Sequence, residues 1–84
     1  MTQEKLMTLE HAVTDMVLSY QPRRKTFAVR NRMRYLALLG MEKIHDIRMA
    51  FEMNDETEMD RIFEEFKTEY ERVLSKSNST LENS

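Results

Sequence analysis

The sequence predicts an all-α fold, a small three-helix bundle with a long central helix, and three observations carry that reading. The 84 residues contain one glycine and one proline, too little turn chemistry for a sheet of several strands. Apolar residues recur at steps of three and four in three separate runs, the spacing that lines one face of an α-helix. Between the runs stand Gln21-Pro22 and Asn54-Asp55, a helix stop and a helix start.

The first helix is expected over residues 3–20. Leu6, Leu9, Val13, Met16, Val17 and Tyr20 keep helical spacing, and Thr2 is placed to cap the amino terminus. Proline lacks the amide that a helix needs and pushes the residue before it out of the α region, so Gln21 and Pro22 end the helix.

The second helix is expected over residues 23–53. Val29, Met33, Leu36, Gly40, Ile44, Ile47 and Phe51 form one stripe that passes through Gly40 in phase. Two independent helices would have no reason to share a register, so this is one helix of roughly 45 Å, straight or bent at Gly40.

A third helix is expected over residues 56–75. Asp55 reads as its N-cap, with Glu58 as the capping-box partner. Met59, Phe63, Phe66, Tyr70 and Val73 form a heptad seam, widened by Ile62 and Leu74. Residues 1–75 thus make a single domain. Residues 76–84, SKSNSTLENS from Ser75 on, hold one apolar side chain and no periodicity. They are expected to form a flexible tail.

The chain has no cysteine and no apolar run longer than the seven residues from Tyr35 to Met41. It therefore reads as a cytoplasmic protein with no membrane span, and the Asn78-Ser79-Thr80 sequon as coincidence. A core this small is marginal alone, so self-association into a homo-oligomer is expected. Met7, Met41, Met49 and Met53, less committed to the stripes, are candidates for a subunit interface, while Leu36, Leu38 and Leu39 are assigned to the core.

Charge is the next signal. Residues 21–50 hold eight Lys or Arg against two acids, and residues 51–84 hold four against ten. Arg23, Arg24 and Lys25 would stand at a helix start, where the macrodipole disfavours cations. An antiparallel third helix would bring Glu64, Glu65, Glu69 and Glu71 near Arg30, Arg32 and Arg34 and compensate them internally.

Three readings compete with internal compensation. In the first, Arg23, Arg24, Lys25, Arg30, Arg32 and Arg34, with Phe27, Met33 and Tyr35 as apolar anchors, dock another protein. In the alternative, these arginines neutralise nucleic-acid phosphates, although the chain is acidic overall and carries no DNA-binding motif. In the third, the helix lies on an anionic membrane surface.

No enzyme is expected. His11 with Asp15 and His45 with Asp46 are pairs without metal-site spacing, and no phosphate loop or activated nucleophile is present. No cofactor is implied.

The chain, and above all QPRRKTFAVRNRMRYLALLGMEKIHDIRMAFEMND, resembles the small cytoplasmic accessory proteins of T-even phages, most nearly the accessory antiholins of the third rapid-lysis locus. The resemblance rests on size, helical character and texture. It implies lysis inhibition: a soluble helical protein that delays holin triggering by binding the holin's cytoplasmic segment.

Overall fold

A computed structural model describes the backbone of residues 2–23 and 26–82 and side chains as far as Lys76. It contains α1 (Gln3–Ser19), α2 (Phe27–Glu52) and α3 (Glu56–Glu82), arranged up-down-up in a rod 47 Å long and 16 Å across. Lys5 near the start of α1 reaches Glu56 at the start of α3, at 2.7 Å, so these helices run parallel. Arg48 late in α2 reaches Glu10 at the middle of α1, at 2.6 Å, while the earlier Gly40 lies against Val17 near the end of α1, which sets α2 antiparallel to both.

Each terminus has a local cause. The Thr2 hydroxyl accepts from the Lys5 amide, and α1 stops at Ser19 with Tyr20 as its C-cap. α2 begins at Phe27 because Thr26 caps it, its hydroxyl accepting from the Val29 amide at 3.2 Å. That is four residues later than the apolar pattern suggests, so Arg23 precedes the helix. Arg24 and Lys25 lie outside the described residues.

The α2–α3 turn is a Schellman motif. The Asn54 amide donates to Phe51 O and the Asp55 amide to Ala50 O, each at 2.9 Å, with Asn54 in the left-handed region at φ 61°. Asp55 then caps α3, its carboxylate accepting from the Glu58 amide at 3.1 Å. The expected capping box is half realised. Because the Asp55 amide is already committed to Ala50, the Glu58 carboxylate turns instead to Arg61.

α3 is helical to Glu82, whereas the sequence reading ends it at 75 and expects a flexible tail over 76–84. No proline or glycine stands beyond Asp55, and extending a formed helix avoids the cost of nucleation. The side chains of residues 77–84 and the backbone of the last two lie outside the described residues. At 27 residues α3 is also as long as α2, so α2 does not outreach both neighbours.

The core follows the three stripes. Val13, Leu36, Ile47, Met59 and Phe66 are fully buried, joined by Leu9, Tyr20, Ala50, Ile62, Tyr70 and Val73. α2 runs unbroken through Gly40, which faces α1. A Cβ there would lie 2.9 Å from Val17 Cγ2 and 3.4 Å from Val13 Cγ1. The glycine serves close approach.

Candidate functional site

The register between α2 and α3 decides which charges meet. Tyr35 Oη donates to Glu69 at 2.9 Å, and Lys43 pairs with Glu65 at 3.1 Å. Further toward the start of α2, the level of Arg30 and Arg34 therefore falls beyond Glu69, where α3 carries Glu71, Arg72 and Lys76. Among the described residues, Arg30 and Arg34 do not pair with Glu64, Glu65, Glu69 or Glu71 as expected. Glu64 pairs with Lys67, Glu65 with Lys43 and Arg61, and Glu69 with Arg72.

Lys5, Lys43, Arg48, Arg61, Lys67 and Arg72 are all in ion pairs, and Arg32 and Lys76 are already engaged. Among the described residues Arg23, Arg30 and Arg34 make no ion pair, and all three are exposed. Phe27, one turn before Arg30, is 81% exposed. Successive steps of three and four put Phe27, Arg30 and Arg34 on one side of α2. Met33 is half-buried against the core, and Tyr35 is partly exposed but committed to Glu69.

The electrostatics elsewhere are those of finished ion pairs. Arg72 and Tyr35 together hold the Glu69 carboxyl below its ordinary value, and the same carboxylate raises the Tyr35 phenol. Arg61 lowers Glu58, while Lys43, followed by Arg61, lowers Glu65. Glu56 and Asp60 raise Lys5.

An open groove between α2 and α3, of about 510 Å³, is lined by Tyr35, Leu39, Lys43, Arg61, Glu64, Glu65, Thr68 and Glu69. Every ionisable group along it is held in one of the pairs above. His11 and His45 are exposed on α1 and α2. Among the described residues no three His, Asp or Glu side chains converge as a metal site would require, and no helix is long and apolar enough to cross a membrane.

The second open groove, between α1 and α2, is apolar. Val13, Val17, Leu18, Ala37, Gly40 and Met41 line a volume of about 170 Å³. Leu18 is 64%, Leu38 59% and Met41 68% exposed. Leu38 was expected in the core with Leu36 and Leu39. Leu36 is buried and Leu39 packs against the core, but Leu38 lies two residues on from Leu36, on the opposite side of the helix. Met7, Met41, Met49 and Met53 are all exposed. Leu18 and Leu38 were the residues that sequence reasoning missed. Their phase away from the stripes was the available signal.

The chain matches no protein-family profile, no curated protein and no solved structure.

Proposed function

We propose that this chain is a non-enzymatic regulator that acts by binding another protein through the basic side of α2, with Arg23, Phe27, Arg30 and Arg34 as its contact residues. The observation that carries the reading is the segregation of the unpaired cations. The described arginines that make no ion pair all fall between residues 23 and 34, beside an exposed phenylalanine. Guanidinium groups left free next to an aromatic suit a partner with carboxylates and an apolar anchor, and such Arg and aromatic residues dominate contact energies. Arg24, Lys25 and Arg32 flank the same surface in sequence. The resemblance to accessory antiholins suggests the cytoplasmic segment of a holin as that partner, with delayed lysis as the outcome.

The test is retention of a purified holin cytoplasmic segment, and of proteins from a nuclease-treated lysate, by wild type and by the variant Arg23→Glu, Arg30→Glu. Retention by wild type alone is expected. Equal retention by both proteins contradicts the assignment. Retention that depends on nucleic acid and falls steeply with salt would transfer the same arginines to phosphate binding.

A further inference from the structure

The outward face of α2 carries its own periodicity, distinct from the stripe that faces the core. Asn31, Arg34, Leu38, Met41 and His45 alternate steps of three and four along the exposed side, the 3.5-residue repeat of a helix that packs a second helix at a shallow angle of about 20°. At its centre Leu38 and Met41 are more than half exposed, with Leu18 of α1 beside Met41.

Charge along this face divides at the centre. In the first half Arg30 and Arg34 are exposed and unpaired. In the second half the cations Lys43 and Arg48 are taken by Glu65 and Glu10, which leaves Glu42 and Glu52 as exposed anions with no ion pair among the described residues.

We infer that this face docks a second copy of the same chain, α2 against α2 and antiparallel, about a two-fold axis between Leu38 and Met41. Leu38 of each copy then meets Met41 of the other next to the apolar α1–α2 groove. The axis also brings the basic half of each helix against the acidic half of its partner, with Arg34 within one turn of Glu42. A parallel pair would set Arg30 and Arg34 against their own copies. An isologous contact of this kind closes on itself and leaves no unsatisfied face. Arg23, which precedes α2, lies outside the contact. Arg34 lies inside this contact, so a protein bound through Arg34 competes with the second copy, and the association is tested on the purified chain alone.

Sedimentation equilibrium of the purified chain tests the association, with a dimer expected for wild type. Leu38→Glu, which removes an exposed side chain and leaves the core intact, is expected to raise the dimer Kd more than tenfold, roughly the effect of losing one central contact, with an unchanged helical spectrum. Orientation is tested by the variants Asn31→Cys and Met49→Cys in a chain that has no cysteine of its own. A short bismaleimide should join Asn31→Cys to Met49→Cys in a mixture, and neither variant to itself. In the antiparallel pair the two copies of position 31 lie roughly 26 Å apart. A monomeric wild type, an unaffected dimer in Leu38→Glu, or self-linking of Asn31→Cys would overturn the inference.

Discussion

The two ends of the rod are built differently. At one end every element is tied to another: Lys5 bridges α1 to Glu56 and Asp60 of α3, Arg48 ties α2 to Glu10 of α1, and α2 turns into α3 through three residues with every turn amide placed. At the other end α2 starts on a single threonine cap, with Arg23, Arg30 and Arg34 unpaired and Phe27 in solvent. Both ends draw on the same residue types. What differs is register: α3 brings Glu65 to Lys43, whereas no described carboxylate of α3 pairs with Arg30 or Arg34. A charged stripe is thus structural or free according to what the neighbouring helix brings level with it, and the free stripe is the one available for contact.

The core that both ends share sets the scale. Phe66→Ala should cost about 3 to 5 kcal/mol, a large part of what so small a domain can have. Urea unfolding followed by circular dichroism would read this directly, and a loss under 1 kcal/mol would mean that α3 does not carry the core.

Gly40→Ala sharpens the comparison at the middle of the rod. Alanine gains about 1 kcal/mol of helix propensity, but its Cβ would press on Val17 Cγ2 at 2.9 Å, and overpacking costs about 1 to 3 kcal/mol. A net loss on the order of 1 kcal/mol is expected, and Val17→Ala in the same chain should relieve it. At the tied end, Asn54→Ala should cost about 1 kcal/mol, because alanine tolerates the left-handed region poorly, while Asn54→Gly should be neutral or stabilising.

Much of this was legible in the sequence. α1 ends within one residue of the reading, and the buried residues of α2 and α3 are those of the stripes except Ala50, which is buried where its neighbour Phe51 was expected, since burial follows periodicity. The start of α2 was missed because Thr26 looks like one more residue of a long run until its hydroxyl is seen on the Val29 amide. Its apolar pattern first becomes binding at Val29. The register of α3 on α2 was not legible, because sliding one helix by a heptad buries the same stripe while changing every charge pair. The candidate site inherits that gap: the sequence identifies Arg30 and Arg34 as basic, and the register shows that they are unpaired.

Acid should weaken the tied ion pairs. The carboxyls of Glu58, Glu65 and Glu69 are lowered from 4.5 in the folded chain. Their contribution is complete above the unfolded value and is lost as pH falls through the lowered ones. The melting temperature should therefore be flat near neutrality and begin to drop below about pH 4.5. Glu69→Gln should shrink that drop, since it removes a titrating partner of both Arg72 and Tyr35. A melting temperature that holds from pH 5 to pH 2 would refute these pairings.

The smallest effect is expected at the open end. The measurement that bears most directly on the contrast is urea unfolding of Arg30→Glu, Arg34→Glu beside wild type, at a concentration low enough that both are monomeric. If these arginines are reserved for contact, the two curves should agree within about 0.5 kcal/mol, as for surface changes that touch no partner. A loss approaching that of Phe66→Ala would place the arginines in the structure of the bundle and contradict the account.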